Sequence, residues 1–221
     1  MKLNRSAGRC SAALAAVILS ATCTLASAAG GLTEGYPDNW QALDPREVQL
    51  LPDYCKYTQI YRSVVQAGNN RAQIQRWTAI MGPTFNSMHH YCNGLLKTNR
   101  AILLATNEQT RKFYLDSSLG EFDYVINRAP ANFVLLPEIL TKKGENLLRL
   151  GREIPALETL KRSMAIKPDY WPAYTVLADY YKEHGNVAQA RAVLENALEH
   201  SPDAQAVKRR LAELGSARAS K

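Results

Sequence analysis

The sequence predicts an all-α protein whose C-terminal part repeats a pair of helices. Apolar residues recur at intervals of three and four along most of the 221 residues, as they do on the buried face of a helix. Nowhere do β-branched residues alternate with polar residues in the pattern of a strand. Identical residues also recur 34 positions apart in the last third of the chain, which indicates a repeated structural unit.

Composition and charge exclude several other classes of protein. With 46% hydrophobic and 21% charged residues, the chain differs from disordered, collagen-like and multi-span membrane proteins. The formal net charge is +7, but three of the 27 basic residues lie in the leader described next, which has no acidic residue. The other 24 basic residues stand against 20 acidic residues, an excess of +4 that is too small to indicate nucleic-acid binding.

The first 28 residues have the three parts of a secretory signal peptide. Residues 1–9 contain three basic side chains, residues 11–25 form an uncharged apolar stretch, and Ala-Ser-Ala at 26–28 offers the small side chains that a signal peptidase reads. The apolar stretch is shorter than the roughly 20 residues that span a bilayer as a helix, and an uncleaved anchor is the alternative. We therefore expect cleavage after Ala28 and a periplasmic or secreted mature chain with no membrane span.

Residues 29–98 are expected to form an N-terminal helical module, and they match no family that we can name. Turn-forming residues divide the apolar pattern into four predicted helices. The first begins at Asp44, and the second extends from Pro52 to Gly68. The third ends at Gly82, and the fourth extends from about Thr84 to Leu103.

Two cysteines, Cys55 and Cys92, remain once the predicted leader is removed. An even pair in an oxidising compartment predicts one disulfide, which would stabilise the fold by roughly 4 kcal/mol in the chain-entropy model. The alternative is a metal or haem site, because His89, His90 and Cys92 lie within four residues. On a helix only His89 and Cys92 share a face, and a zinc site needs four ligands or three with a water. Cys55 and Asp53 would have to complete such a site.

Matching residues in the last third of the chain define a helix–turn–helix unit. Each glycine is expected to end a first helix in a left-handed conformation, and each alanine to let the second helix approach closely. Each proline is expected to end a second helix. The matching pairs are Gly151 and Gly185, Ala156 and Ala190, Leu160 and Leu194, Thr141 and Thr175, and Pro168 and Pro202.

This unit resembles the tetratricopeptide repeat, a 34-residue helix–turn–helix. In residues 171–204 the signature positions of that family hold Tyr174, Leu177, Ala178, Tyr181, Gly185, Ala190, Leu194, Ala197 and Pro202. Residues 137–170 match less fully, because Lys143 and Ser163 depart from the pattern and are expected to loosen the packing there.

The resemblance extends less clearly to the flanking segments. Residues 99–136 are expected to form a degenerate helix pair, in which Phe113 stands where the family has its turn glycine. Residues 205–214 are expected to form the polar capping helix that such arrays need, and residues 215–221 a flexible tail.

The resemblance implies a superhelical array whose first helices line a groove for peptides or partner helices. Tyr170, Trp171 and Tyr174 are candidate anchors for a partner, although packing between repeats is the alternative role, above all for Tyr174. The charged positions could also be an ordinary solvated helix face. The predicted groove residues are Glu138, Lys142, Glu145, Arg149, Trp171, Thr175, Asp179 and Lys182.

The sequence therefore predicts a periplasmic adaptor or scaffold that binds a partner protein in cell-envelope assembly, secretion or export. It predicts no enzyme, cofactor or metal, since the common motifs for nucleophiles, zinc, phosphate and dinucleotides do not occur in it. One alternative is a metal- or haem-related protein that uses His89, His90 and Cys92. Another is a small hydrolase with its site in the N-terminal block, where Asp53, His89 and Glu121 are the candidates, and a third is self-association through an end of the array.

Overall fold

The computed structural model describes residues 43–219, which form nine α-helices and no strand. The helices are α1 (Pro45–Gln49), α2 (Arg71–Met81), α3 (Met88–Leu103), α4 (Glu108–Ile126), α5 (Leu136–Arg149), α6 (Glu153–Ile166), α7 (Trp171–Glu183), α8 (Val187–His200) and α9 (Gln205–Ala219). The prediction of an all-α protein is confirmed. The predicted signal peptide, residues 1–28, lies outside the described residues.

The chain segment between α1 and α2 differs from its prediction. In place of an α-helix from Pro52 to Gly68, it forms two short 3₁₀ helices, Asp53–Tyr57 and Tyr61–Ser63. Its apolar residues are spaced mostly by three, which suits the 3₁₀ helix as well as the α-helix. Tertiary contacts then decide between the two, because Tyr61 is fully buried and its hydroxyl donates to Asn93 Oδ1 at 2.8 Å.

A disulfide joins Cys55 to Cys92, which is the pairing that the sequence favours. Both residues are fully buried, with their Cα atoms 5.7 Å apart, so the bond ties the first 3₁₀ helix to the second turn of α3. The core around it extends from Val48 to Leu140 and includes side chains of α3, α4 and α5. The N-terminal block and the first helix of the array are therefore packed on one continuous core.

Helices α3 and α4 form the helix pair that precedes the two repeats, but in a different register from the prediction. Phe113 lies inside α4, and the turn between the helices falls at residues 104–107. The predicted boundary between residues 98 and 99 falls within α3. A buried polar contact then joins this pair to the array, because the Asn146 amide of α5 donates to Thr98 Oγ1 at 2.6 Å and to Ser118 Oγ at 2.8 Å.

The two repeats are α5–α6 and α7–α8, as the 34-residue spacing predicts. Gly151 and Gly185 follow the first helix of each pair with φ of 71° and 76°, a conformation that L side chains rarely adopt. Ala156 and Ala190 have no exposed surface, so the second helix of each repeat packs directly against the first.

Lys143 and Ser163, the two departures from the repeat pattern, both have partners in the structure. Lys143 Nζ donates to Asp123 Oδ1 of α4 at 2.6 Å. Ser163 is fully buried and its hydroxyl donates to the carbonyl oxygen of Pro137 at 2.7 Å. Each of these residues therefore adds a polar contact between helices, and the expectation that they loosen the first repeat stays a prediction.

Helix α9 covers the end of the second repeat with Val207 and Leu214, which pack on Ala197 and Leu194 of α8. The helix continues to Ala219, into the segment that the sequence assigns to a flexible tail. Among the residues that the structure describes, no helix is both long and apolar enough to cross a membrane.

Candidate partner-binding cleft

A cleft of about 300 Å³ lies between the first helices of the two repeats, α5 and α7. It is lined by Glu145, Leu148, Arg149, Glu153, Val176, Asp179, Tyr180, Glu183 and His184. Three of the predicted groove residues, Glu145, Arg149 and Asp179, are among them. Because both helices are packed against their second helices, these side chains project from fixed backbones.

Ion pairs hold the charged groups of the cleft in place. Glu145 lies between two cations of its own helix, with Lys142 Nζ at 3.1 Å and Arg149 Nη1 at 3.5 Å. Asp179 accepts hydrogen bonds from Nε and Nη2 of Arg210 on α9, each at 3.1 Å. The capping helix thus fixes a carboxylate of the cleft.

Arg149 connects the cleft to the N-terminal block. Its Nη1 donates to Asn146 Oδ1 at 3.0 Å, and the same Asn146 amide is bonded to α3 and α4. The position of this guanidinium therefore depends on residues that lie outside the repeats.

The far end of the cleft is formed by a hydrogen-bonded group of three side chains. Tyr180 donates its hydroxyl to Glu153 Oε2 at 2.8 Å, and His184 Nε2 lies 3.3 Å from Glu153 Oε1. The Tyr180 carbonyl, 2.8 Å from His184 Nδ1, and the Glu153 carboxylate raise the pKa of His184 above its ordinary value. None of the sequence patterns predicted this group. The signal for it was the position of Glu153 and His184 beside the two turns, which places them near each other in stacked repeats.

The other predicted groove residues lie around the cleft. Trp171 is partly buried and packs against the hydrophobic core that α7, α8 and α9 share, and Lys182 lies 4.0 Å from Glu213 of α9. The prediction of an exposed Thr175 was wrong: it is 5% exposed and its hydroxyl donates to the carbonyl oxygen of Pro172. Tyr174 is buried between the helices, the packing role that the sequence analysis gave as its alternative.

Glu138 lies at the first turn of α5, where it meets tyrosines from the N-terminal block. The buried Tyr91 of α3 donates its hydroxyl to Glu138 Oε1 at 2.7 Å. Burial raises the pKa of Tyr54, Tyr91 and Tyr170, and the negative charge of Glu138 raises the pKa of each further. The hydrogen bond from Tyr91 therefore links α3 to the first turn of α5.

The histidine and cysteine cluster that suggested a metal site is divided by the fold. Cys92 is bonded to Cys55, so its sulfur is not a thiolate ligand. His90 Nδ1 lies 2.6 Å from Glu121 Oε2 and its ring stacks on Tyr124. His89 lies beside the carbonyl oxygen of Asn86 at 3.0 Å. Within residues 43–219, no three His, Cys, Asp or Glu side chains are placed to hold a metal ion.

The hydrolase candidates have structural partners of their own. Asp53 pairs with Lys56 at 3.0 Å on the first 3₁₀ helix. Glu121 accepts from Lys97 Nζ at 3.0 Å in addition to its contact with His90. Glu121 therefore links α4 to α3, and Asp53 forms an ion pair within the first 3₁₀ helix.

A family model agrees with the repeat architecture over residues 147–214. The tetratricopeptide repeat family model matches residues 147–214, from the last turn of α5 into α9. One similar solved structure is described as the first TPR of Spaghetti (RPAP3) bound to the HSP90 peptide SRMEEVD; it has 17% sequence identity and a TM-score of 0.40. The match covers 57% of this chain and 96% of that chain. No curated protein sequence matches the chain.

The fold and the cleft define an α-helical repeat protein of the kind that serves as a protein-binding scaffold. More specifically, residues 147–214 of the chain match the tetratricopeptide repeat family. The family typically binds other proteins and is not enzymatic.

Proposed function

We propose that this protein is an exported adaptor that binds a segment of a partner protein in the cleft between α5 and α7. The observation that carries the proposal is the cleft itself, which opens between the first helices of two tetratricopeptide repeats. Its charged side chains are held by contacts to α9 and, through Asn146, to the N-terminal block. Such preorganised groups bind a partner with less loss of side-chain entropy.

The N-terminal block extends this surface. It shares one core with α5, and its Tyr91 reaches Glu138 at the start of that helix. A disulfide within the block suits an oxidising compartment, and residues 1–28 have the pattern of a signal peptide. The setting that we propose is the periplasm, in cell-envelope assembly, secretion or export.

The proposal is tested by capturing partners from the native cell envelope with the tagged mature chain and mild crosslinking. We expect one envelope protein to be enriched, and a Glu145→Arg, Glu183→Arg variant to lose it, because both changes reverse charge in the cleft lining. The matched control is Glu158→Arg, Glu195→Arg, which reverses two exposed carboxylates of the second helices, α6 and α8.

Two outcomes would contradict the proposal. Equal capture by the cleft variant and the control variant would show that another face binds. An unprocessed N-terminus, measured by mass spectrometry of the protein from its native host, would exclude export through a cleaved leader.

A further inference from the structure

The middle of the N-terminal block carries positive charge and no negative charge. Residues 54–107 contain six lysine or arginine side chains and no aspartate or glutamate. The other residues of the predicted mature chain, 29–53 and 108–221, hold 18 basic residues and all 20 acidic residues. The positive excess of the mature chain therefore lies in this one stretch, and such a separation of charge indicates an electrostatic surface.

Three of these six cations are used inside the fold and three are not. Lys56, Lys97 and Arg100 each form an ion pair with a carboxylate, at distances of 2.7 to 3.0 Å. The other three form no ion pair with a residue that the structure describes, and they are Arg62, Arg71 and Arg76. Arg71 and Arg76 are exposed and Arg62 is half-buried, so their charges are available to a partner.

The three unpaired arginines lie around the N-terminal half of α2. A Cβ added at Gly68 would lie 2.5 Å from the Cα atom of Arg62, so the turn that leads into α2 rests on the Arg62 backbone. Arg71 is the first residue of α2 and comes three residues after that glycine. Arg76 follows about 7.5 Å further along the helix axis. The three residues therefore belong to one region of the block.

Helix α2 turns one face to the core and leaves the other face uncovered. Ile74, Trp77 and Met81 pack on the core that surrounds the disulfide. At about 100° per residue, Arg71 and Arg76 lie at the two borders of the opposite face. The middle of that face holds small or uncharged residues, all exposed: Ala72, Gln75 and Ala79. A broad surface could therefore approach the helix closely between the two arginines.

Exposed apolar side chains accompany the arginines. Ile80, one turn after Arg76, is 49% exposed, and Val64, two residues after Arg62, is 37% exposed. The guanidinium of Arg76 lies over the ring of Trp77, 5.2 Å from its centre. Basic and apolar side chains side by side are typical of the boundary between water and lipid, where cations meet phosphate groups and apolar groups meet acyl chains.

We propose that this face of α2 binds the surface of a membrane that contains anionic phospholipids. The convex side of a helix fits a flat layer of headgroups, whereas an extended peptide needs a groove or a sheet edge. The apolar face of α2 is packed on the protein core, so the attachment is electrostatic and peripheral. The inference goes beyond the adaptor function, since none of the three arginines lines the cleft, and it places the cleft at a membrane surface.

The test is flotation of the chain 29–221, with its disulfide formed, together with lipid vesicles. We expect the protein to float with vesicles of phosphatidylglycerol and phosphatidylcholine in equal amounts, and to stay behind with phosphatidylcholine alone. In about 1 M NaCl the protein should be released, because the Debye length then falls to about 3 Å.

Neutralising the three arginines should remove most of the binding. Each basic side chain near an anionic surface strengthens binding about fivefold, so Arg62→Gln, Arg71→Gln, Arg76→Gln should weaken it about a hundredfold. The matched control is Lys161→Gln, Arg162→Gln, Arg209→Gln, which removes the same net charge from exposed positions of α6 and α9. We expect the control to change binding by less than about twofold, since charges more than a Debye length from the lipid are screened.

Two further variants separate lipid binding from folding and from other ligands. Arg62→Lys, Arg71→Lys, Arg76→Lys keeps the charge without the planar guanidinium, and it should bind within about twofold of the original chain. Ile80→Gln removes an exposed apolar side chain at a helix position that glutamine tolerates, and it should weaken binding about threefold.

Three results would overturn the inference: equal binding to phosphatidylcholine vesicles, unchanged binding of the glutamine variant, or an equal loss in the control variant. The last result would mean that net charge alone attracts the chain. If no vesicle binds but a blocked polyglutamate peptide shifts the NMR signals of α2, the face belongs to an acidic protein segment and the lipid proposal is wrong. The cleft is tested separately by Glu145→Arg, Glu183→Arg, which leaves the α2 face intact.

Discussion

The N-terminal block and the second repeat reach the same end, a buried helical core, by different means. The block packs short 3₁₀ helices, a disulfide and the large rings of Tyr61, Tyr91 and Phe122 around α3. The second repeat buries mostly small side chains at fixed spacing, such as Ala178, Ala190 and Ala197. Regular packing needs little more than small residues where helices meet, whereas irregular segments require specific cross-links to define one structure.

Buried charge shows the same contrast. Glu47 of α1 and Arg100 of α3 form a two-point ion pair at 2.7 and 2.9 Å, and both are nearly inaccessible to water. In the second repeat the ion pair of Asp179 and Arg210 is partly exposed at the cleft. The block therefore uses charge to fix its own fold, and the repeat presents charge to a partner.

The largest effect that we expect comes from removing the cross-link of the block. Replacing Cys55 and Cys92 together with alanine opens a loop closed over a sequence separation of 37. The chain-entropy model gives a loss of about 4 kcal/mol in the free energy of unfolding. Urea unfolding measures the loss, and amide exchange should locate it in α3 while α7 and α8 stay protected. A loss below about 1 kcal/mol would contradict the view that the block depends on its cross-link.

A cavity in the second repeat should have the next largest effect, and one confined to the array. Leu194→Ala removes a side chain that is 1% exposed between α7 and α9, and should destabilise by about 3 kcal/mol. Val187→Ala, on an exposed residue of the same helix, is the matched control and should change stability by less than about 0.5 kcal/mol. Because repeats contact mainly their neighbours, amide exchange should rise in α8 and α9 and stay slow around Cys55. Equal loosening of both regions would show that the two parts unfold as one unit.

A substitution where α3 and α4 approach closely should lower stability by a smaller amount. The matched substitution of another glycine should raise it. A Cβ added at Gly94 would lie 2.3 Å from Cε1 of Phe122, whose ring is fully buried and rigid. Gly94→Ala should therefore destabilise by about 2 kcal/mol, measured by urea unfolding, even though alanine favours helices. Gly120→Ala on the exposed side of α4 meets no atom within 4 Å and should stabilise by roughly 0.5–1 kcal/mol. If both variants gained stability, the packing of α3 against α4 would be looser than the structure has it.

The same contrast explains how much of the fold the sequence predicts. In the repeats, Gly151, Gly185, Pro168 and Pro202 mark the turns directly, because only the local backbone decides what those positions need. In residues 52–68 the spacing of apolar residues predicts a helix, but the chain bends instead. Its backbone includes Ala67 at φ of 62°, and contacts with α3, distant in sequence, hold the segment in place.

The residues of the candidate site also differ in how far the sequence could predict them. Glu145, Arg149 and Asp179 could be assigned to the cleft because they occupy the face of a first helix that the repeat leaves open. The contact of Tyr91 with Glu138 could not, since Tyr91 lies 47 residues earlier in the chain and its approach depends on how α3 packs against α5. The prediction that Thr175 lines the groove was wrong, because this polar side chain lies on the expected face but is buried against a turn of its own helix.

Two histidines provide the smallest and most local comparison, with pKa shifts of opposite sign in the two regions. Burial, together with the charge of His90, lowers the pKa of His89 below its ordinary 6.5, whereas the Tyr180 carbonyl and Glu153 raise the pKa of His184. His184 therefore contributes stability that is complete below pH 6.5 and is lost as the pH rises through its raised pKa. His89 contributes stability above pH 6.5 that is lost as the pH falls through its lowered pKa. An NMR titration of the imidazole signals should show His184 titrating at the higher pH. Glu153→Gln should lower the pKa of His184 alone, and a shift of both histidines would mean that the cleft and the N-terminal block are electrostatically coupled.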